Sequence, residues 1–298
     1  MKPSPFTYHA PRTVEATLGL LDGLGDHAKV LAGGQSLLPL LSMRLAAPEH
    51  LVDINRVVGL DRLEVSPAGV RVGALVRHAR LESDPEVAEV LPLLGRALRQ
   101  VAHPTIRNRG TTVGSLVHAD PAAEMPAVLV LLGGSVELAS ATGIRTVAAE
   151  EFFRGPLEAD LRPGELATSA WFPATGPATG TAFLELSRRH GDYALVGLAA
   201  AVDLDDQGRI ASARVAYLSV GPTPILLDLT AAVSGATPGG ADWAGAGALA
   251  AEQVDPDSDV HADAAYRRHL VRVLTARGSA HAAADATARS SHPPQEAQ

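Results

Sequence analysis

The chain has 298 residues, of which 46% are hydrophobic, so it is long enough to fill two cores of ordinary size, and we expect two domains. It has 25 Lys and Arg and 33 Asp and Glu, which gives a net charge of −8. This negative charge, together with only 4% aromatic residues, disfavours a nucleic-acid partner. The sequence contains no cysteine, which excludes disulfides, thiolate nucleophiles, cysteine-ligated zinc and iron–sulfur clusters from this chain.

The first predicted elements alternate between short strands and helices. Ala28 to Ala32 predicts a strand that runs into a Gly-Gly pair, and Ser36 to Leu45 then predicts a helix. Leu51 to Ile54 and Gly69 to Ala74 predict two further strands. The chain therefore begins with a strand, a glycine turn and a helix start in close succession.

A predominantly helical stretch comes next. The spacing of apolar residues predicts a helix from Pro85 to Val101, in which Pro92 opens a new segment. A polar, glycine-containing stretch from Thr105 to Ser115 follows, and Ala122 to Leu132 again has a helical pattern. This second loop, like the first, leads towards the start of a helix.

A composition change divides the chain. The segment PATGPATGT, residues 173–181, is typical of a linker, so we expect one domain at residues 1–176 and a second at 180–280. Ala194 to Leu204 and Ile210 to Val220 predict two strands of a hairpin joined by DDQGR. Two helical segments follow, separated by a glycine-rich stretch.

The last predicted helix is amphipathic. Tyr266, Leu270 and Leu274 share one face with Val273, whereas three arginines, among them Arg267, are expected on a solvated face. Residues 283–298 are small and polar, and we expect them to be disordered.

Several common classes of protein lack support in the sequence. No apolar stretch approaches the roughly 20 residues of a membrane helix, and the start MKPSPFTYHA has no apolar signal core, so we expect a soluble, cytoplasmic protein. The 11 histidines show no paired metal-ligand spacing, and neither a G-x-S-x-G elbow nor a Walker-type loop is present. We therefore predict no metal site and no catalytic side chain.

The first glycine loop is A-G-G-Q-S, Ala32 to Ser36. Two glycines allow a ligand to approach the backbone closely, and exposed N–H groups at a helix start suit a phosphate. The alternative is an ordinary strand-to-helix turn capped by Ser36, which a lone Gly-Gly pair favours.

The second loop, Gly110 to Ser115, offers three hydroxyls and two glycines. His118, Asp120 and Glu124 follow it, and such groups suit a pyrophosphate or sugar hydroxyls. The alternative is again capping, with Asp120 as N-cap before Pro121. Two such loops in one domain can together hold both phosphates of a dinucleotide, and they are stronger evidence for one than either loop alone. Because neither loop has the sequence G-x-G-x-x-G, FAD is a better candidate than NAD.

Four motifs resemble those of a known family. AGGQSLLPLL, RNRGTTVGSLVHADPAAEMPA, RRHGDYALVG and VGPTP occur in this order. They are similar to the medium, FAD-binding subunit of molybdenum hydroxylases, which include aerobic carbon monoxide dehydrogenases and relatives of xanthine dehydrogenase. The resemblance covers about Phe6 to Arg277.

The resemblance implies an α+β chain, with a two-part FAD-binding domain of the vanillyl-alcohol-oxidase-like (PCMH) type followed by a smaller α+β domain. It implies that the two loops hold the pyrophosphate, that Leu166 lies near the flavin ring, and that Tyr193 packs against the isoalloxazine unless it is a core aromatic. The implied FAD-binding residues are Ala32, Gly33, Gly34, Gln35, Ser36, Leu37, Ala102, Thr111, Thr112, Gly114, Ser115, His118, Ala119, Asp120, Glu124, Leu166 and Tyr193.

Two positions depart from the family pattern. Val113 stands where much of the family has glycine, which is expected to restrict the loop around the phosphates. Relatives often carry a lysine shortly before the paired basic residues, where this chain has Leu184, Glu185 and Leu186. A cationic contact to the flavin from that segment is therefore not expected.

The resemblance implies an FAD-carrying electron-transfer subunit. Its partners are a molybdenum-cofactor large subunit and an iron–sulfur small subunit, in a dimer of heterotrimers, and electrons leave the flavin for an external acceptor. Two alternatives remain at this point: a stand-alone flavin oxidoreductase, and a non-redox assembly subunit that has lost FAD.

Overall fold

The computed structural model describes residues 2–291. In the first 175 residues, β-strands alternate with mostly short helices, as the sequence predicts. The strands are β1 (Thr7–His9), β2 (Ala28–Leu31), β3 (His50–Asp53), β4 (Leu63–Ser66), β5 (Gly69–Gly73), β6 (Ser135–Ser140), β7 (Gly143–Ala148), β8 (Phe153–Gly155), β9 (Glu158–Ala159) and β10 (Leu166–Pro173). The helices are α1 (Val14–Leu24), α2 (Leu37–Met43), α3 (His78–Ser83), α4 (Pro85–Val90), α5 (Pro92–Leu98), α6 (Pro104–Arg107), α7 (Thr112–His118), α8 (Glu124–Leu131) and α9 (Ala149–Phe152).

These strands form two main sheets. A small parallel sheet has the order β1-β3-β2, and a larger antiparallel sheet has the order β4-β5-β10-β6-β7. The small sheet pairs Leu31 with Asp53, so β2 and β3 end side by side. Because parallel strands carry their following loops at the same edge, the first glycine loop emerges beside the residues that follow β3.

The rest of the described chain forms a second α+β unit. Its strands are β11 (Thr179–Ser187), β12 (Ala194–Leu204), β13 (Ile210–Leu218) and β14 (Ile225–Asp228), in that order in one antiparallel sheet. Its helices are α10 (Thr230–Val233), α11 (Trp243–Glu252) and α12 (Ala264–Ser291). The predicted hairpin is confirmed: β12 pairs with β13, and Gly208 takes a φ of 70° in the turn, a conformation that glycine adopts easily.

The second sheet lies between helices of both units. Tyr217 and Val215 belong to the apolar cluster that α11 and α12 cover, whereas Phe183 and Ala199 belong to the core of the first 175 residues. Helix α8 packs against the latter face, and all of its residues from Met125 to Leu131 are buried. The start of α8 is thereby fixed at the junction of the two units.

The last helix corrects two expectations. Residues 283–291, expected to be disordered, are the end of α12; the rest of that predicted tail, 292–298, lies outside the described residues. Ala283 is buried, and the Asp285 carboxylate receives two guanidinium hydrogen bonds from Arg96 of α5, of 2.9 Å and 2.6 Å. Small side chains therefore mark close helix–sheet packing here, since a Cβ on Gly180 would meet the backbone of Ala286.

The expected solvated basic face of the last helix is wrong for Arg267. This side chain is buried and donates to the carbonyl oxygens of Leu195 and Ser219, while Tyr266 is exposed. It also pairs with Asp259 at 2.6 Å, which compensates its charge. Across residues 2–291, no helix is long and apolar enough to cross a membrane.

Candidate functional site

The first glycine loop presents a row of unpaired amides. It connects β2 to α2, and within residues 2–291 the N–H groups of Gly33, Gly34, Gln35 and Ser36 donate no hydrogen bond. Ser36 occupies the N-cap position without capping the helix through its side chain, so the capping alternative is wrong for this residue. Free consecutive amides at a helix start form an anion-binding concavity.

The second loop is fixed by its own hydroxyls. Thr111 caps α7, because its Oγ1 accepts a hydrogen bond of 3.1 Å from the Gly114 amide. The Thr112 hydroxyl is fully buried and lies 3.1 Å from Nδ1 of His78. Burial lowers the pKa of His78 to about 4, and the charge of Arg107 adds to this effect, so the imidazole is neutral.

The two loops are in direct contact. A Cβ on Gly33 would lie 2.5 Å from the Arg109 carbonyl oxygen, 2.8 Å from Gly110 Cα and 3.1 Å from the Thr111 nitrogen. Only glycine fits this approach, since the neighbouring atoms are backbone. The predicted juxtaposition of the loops is therefore present in the fold.

Val113 takes a helical backbone conformation at the start of α7. It is the second residue of α7, where the backbone is helical, and its side chain is 2% exposed within the first core. A helical residue does not need the conformational freedom of glycine, so the backbone here accommodates valine, and the effect of Val113 on the loop around the phosphates stays a prediction.

Ala102 lies beside the GDY segment of the second unit. Ala102 has a positive φ of 43°, and the buried Arg107 guanidinium donates to the carbonyl oxygens of Val101 and Ala102. A Cβ on Gly191 would be 2.5 Å from Cε1 of His103. The turn that carries Tyr193 is thus packed against the predicted cofactor-lining residue Ala102.

An acidic cluster lies at the junction, where the two units meet. It consists of Asp120, Glu124 and Glu185 next to Tyr193, whose side chain is 69% exposed. Burial raises the pKa of Glu124 to about 7, with a further contribution from Asp120, and burial followed by the charge of Glu124 raises the pKa of Glu185 to about 8. Desolvation of the part of Tyr193 that faces the junction, followed by the carboxylates of Asp120 and Glu124, raises the pKa of Tyr193, although most of the residue is exposed. Its exposed ring favours the stacking role over that of a core aromatic.

Glu185 is a residue whose importance the sequence pattern did not indicate. It stands on β11 opposite Gly197 of β12, and its Oε2 is buried without a hydrogen-bond partner in the described structure. The Ser219 hydroxyl, directly after β13, is likewise buried and has no hydrogen-bond partner among the described residues. The junction thus carries acidic and hydroxyl groups, and the segment of β11 before Arg188 supplies no cation.

The remaining predicted residues are more dispersed. His118 ends α7, and Ala119 follows it in the left-handed conformation, with its carbonyl accepting from the Leu157 amide at 2.9 Å. Leu37 is the first residue of α2, and Ser115 lies in the first turn of α7. Leu166 begins β10 and is buried in the first core opposite Ala139. Its proximity to a flavin stays a prediction.

The sequence predicts that Asp120 caps the helix that follows it, and the structure gives this residue a different hydrogen bond. Helix α8 begins at Glu124, and Asp120 instead accepts a hydrogen bond from the Ala122 amide at 2.9 Å in the preceding turn. This turn is tied to the second unit, since the Ser219 amide donates to the Pro121 carbonyl at 2.8 Å. Asp120 therefore orders the junction and does not cap the helix.

The donor set fits an anionic dinucleotide such as FAD. Free backbone amides and a hydroxyl-rich helix start suit the pyrophosphate, and an exposed aromatic suits a planar ring. Within residues 2–291 no cluster of His, Asp or Glu has the arrangement of a metal site. Two shallow depressions around Arg71 and Glu137 lie on the five-stranded sheet and include none of the predicted residues.

Comparison with known proteins covers both units. Residues 4–175 match the family described as the FAD-binding domain in molybdopterin dehydrogenase, and residues 181–282 match the carbon monoxide dehydrogenase flavoprotein C-terminal domain. The chain is 42% identical to the alpha subunit of the 6-hydroxypseudooxynicotine dehydrogenase complex of Paenarthrobacter nicotinovorans, over 93% of this chain and 94% of that one.

Two solved structures are similar over nearly the whole chain. Quinoline 2-oxidoreductase from Pseudomonas putida 86 has a TM-score of 0.89 and 38% identity, covering 96% of this chain and 99% of that one. Carbon monoxide dehydrogenase from Hydrogenophaga pseudoflava has a TM-score of 0.88 and 35% identity, covering 97% and 99%. The predicted fold class is confirmed by these matches. The chain therefore belongs to the family of FAD-binding subunits of molybdopterin dehydrogenases.

Proposed function

We propose that this chain is the FAD-binding electron-transfer subunit of a molybdenum hydroxylase complex. The observation that carries the proposal is the contact of two glycine loops, one of which presents four consecutive amides, Gly33 to Ser36, that donate to no group in the described part of the chain. Such a surface suits the pyrophosphate of one dinucleotide better than two independent ligands. The bound FAD supplies the redox chemistry, and the protein supplies its position and electrostatic environment.

The proposed site extends from the loops to the junction. Ala32–Ser36 and Thr111–Ser115 would hold the pyrophosphate, and Ala102, Asp120 and Tyr193 would line the flavin end. The exposed Tyr193 ring supports this direction, because it offers an apolar face next to the acidic cluster. The division into domains at residues 1–176 and 180–280 is also proposed, supported by the two family matches at residues 4–175 and 181–282.

The partners follow from the same family. The relative from Paenarthrobacter nicotinovorans is a subunit of a dehydrogenase complex. The similar structure from Hydrogenophaga pseudoflava is a carbon monoxide dehydrogenase that lacks the Mo-pyranopterin moiety of its molybdenum cofactor. We propose that electrons reach the flavin from an iron–sulfur small subunit after oxidation of a substrate on a molybdenum-cofactor large subunit, in a dimer of heterotrimers. The absence of cysteine requires any such cluster to lie on another chain. A cytoplasmic location suits the thiolates of that partner, and cell fractionation tests it.

The visible absorption spectrum of the complex purified with its native partners tests the function. We expect flavin bands, and acid release of about one FAD per copy of this chain. A colourless complex that takes up no added FAD would leave the assembly subunit as the better candidate. If the isolated chain reduces or oxidises a substrate without partners, the stand-alone flavin oxidoreductase is favoured.

A further inference from the structure

A chain of hydrogen bonds outside both glycine loops connects one loop to the other. The Asn55 Nδ2 atom donates to the Ala32 carbonyl at 2.8 Å, at the start of the first loop. The Arg77 Nη2 atom donates to Asn55 Oδ1 at 2.5 Å, and Arg77 Nη1 donates to the Arg109 carbonyl at 2.6 Å, immediately before the second loop. We call Asn55 and Arg77 the loop clamp.

Asn55 is itself anchored to the small sheet. Asp53 ends β3, and its Oδ1 accepts from the Asn55 amide at 2.9 Å and from Asn55 Nδ2 at 2.6 Å. Its Oδ2 accepts from the Tyr8 hydroxyl at 2.5 Å. Although burial opposes it, these hydrogen bonds lower the pKa of Asp53. The carboxylate is therefore ionised at neutral pH and holds Asn55 in one orientation.

The backbone on either side of Arg77 is also fixed. It forms an antiparallel bridge with Thr111, in which the His78 amide donates to the Gly110 carbonyl at 3.0 Å and the Thr112 amide donates to the Val76 carbonyl at 3.4 Å. The guanidinium is half-buried. Burial, then the charge of Arg109, lowers the pKa of Arg77, but an arginine still remains charged, and its planar fork reaches two acceptors at once.

The clamp also sets the direction of an amide in the first loop. The carbonyl of Ala32 and the N–H of Gly33 belong to one peptide plane and point in opposite directions. Holding the Ala32 oxygen on Asn55 therefore directs the Gly33 amide away from Asn55, and that amide has no partner within the described residues. The close packing of Gly33 against the Arg109 carbonyl prevents the two loops from coming nearer to each other. The loop clamp prevents them from moving apart.

We propose that Asn55 and Arg77 are positioning residues of the cofactor site, which hold the two loops at the separation that one dinucleotide pyrophosphate requires. The proposal rests on the proposed function. Neither residue needs to contact the cofactor, since Asn55 acts through the Ala32 carbonyl at the start of the first loop and Arg77 acts through the Arg109 carbonyl before the second. Preorganised loops bind more tightly because less conformational freedom is lost on binding.

The test measures the FAD dissociation constant of the flavin-free complex by quenching of flavin fluorescence, with the variants Arg77→Met, Arg77→Lys and Asn55→Ala. Each is expected to weaken FAD binding by about tenfold or more, because a hydrogen bond with a charged donor is lost or the link to Ala32 is broken. The double variant Asn55→Ala with Arg77→Met is expected to bind FAD about as well as the single variant with the lower affinity. The reason is that both residues belong to one chain of hydrogen bonds, which either substitution breaks. Arg80→Met is the matched control, since the Arg80 guanidinium donates to the Asp61 carbonyl at 2.7 Å and, among the described residues, donates to no group of either loop.

The lysine variant separates the clamp from simple charge attraction. Lysine keeps the positive charge but cannot span Asn55 and the Arg109 carbonyl with one planar group. If Arg77→Lys binds FAD as the wild type does, the clamp is wrong and only charge matters. If the wild-type complex binds no FAD, the proposed function fails instead. The melting temperature of each flavin-free variant is measured alongside, and if Arg77→Met does not fold, Asn55→Ala and Arg77→Lys decide the question.

Discussion

The pH dependence of stability should reveal the buried carboxyl of Glu185. This side chain faces Glu124 across the junction, and its Oε2 has no hydrogen-bond partner in the described structure. Burial and the Glu124 charge raise its pKa from 4.5 to about 8. The folded state therefore binds this proton more tightly than the unfolded state does, and the free energy of unfolding falls as pH rises from about 4.5 to about 8.

The size of the effect follows from the same values. A tenfold difference in proton affinity corresponds to about 1.4 kcal/mol, so a pKa raised from 4.5 to about 8 costs the folded state up to about 5 kcal/mol at high pH. About 3 kcal/mol of this loss falls between about pH 6 and about pH 9. Glutamine cannot ionise, and the Glu185→Gln variant should lack this part of the pH dependence.

Urea unfolding of the flavin-free chain at about pH 6 and about pH 9 measures the difference. The wild type should lose about 3 kcal/mol more than Glu185→Gln over this range. Glu64→Gln is the control, because Glu64 lies on β4 with its side chain 61% exposed and should keep the wild-type pH dependence. Equal losses for Glu185→Gln and the wild type would refute the assignment of a buried, protonated carboxyl at the junction.

Three further substitutions test other parts of the structure. Gly33→Ala places a Cβ 2.5 Å from the Arg109 carbonyl oxygen, and the FAD content of the purified complex should fall at least about tenfold. Val113→Gly removes a side chain that is 2% exposed, and the free energy of unfolding should drop by about 2–4 kcal/mol in urea titrations while the FAD dissociation constant is unchanged. Asp285→Asn weakens the paired contact with Arg96, and thermal unfolding should show a loss of about 1–3 kcal/mol.

Each of these has an outcome that contradicts it. Gly19→Ala is the control for Gly33, because a Cβ there meets nothing within 4 Å on helix α1, and it should bind FAD fully and gain about 0.5–1 kcal/mol of stability. If Val113→Gly binds FAD more tightly than the wild type does, the valine side chain hinders the loop. Unchanged stability of Asp285→Asn would show that the end of α12 does not hold the two units together.

Local pattern was sufficient for most elements of the fold. The strand before Gly33, the proline-opened helix at Pro92 and the hairpin around Gly208 depend on spacing and turn residues within a few positions of each other. The two glycine loops were found for the same reason. Their motifs are contiguous, and each one directly precedes a helix.

Contacts between segments far apart in the chain could not be predicted from local sequence patterns. Asn55 and Arg77 lie 22 residues apart and become part of the site only because β2 and β3 end side by side and the bridge to Thr111 forms. Arg267 and the small residues at the end of α12 look like solvated positions in the sequence, yet the second sheet buries them. Amino-acid composition indicates only how exposed such residues are on average. Whether a given side chain is buried depends on which helix or strand packs against it.

The sequence by itself determined the two loops, the alternation of elements and the family, because these are recorded in contiguous residues. Only the tertiary structure decided that Gly33 touches the second loop, that Val113 faces the core, and that Glu185 meets Glu124 across the junction. Each of these depends on distances between segments far apart in the chain, and such distances are fixed by the packing of sheets and helices and not by local preference.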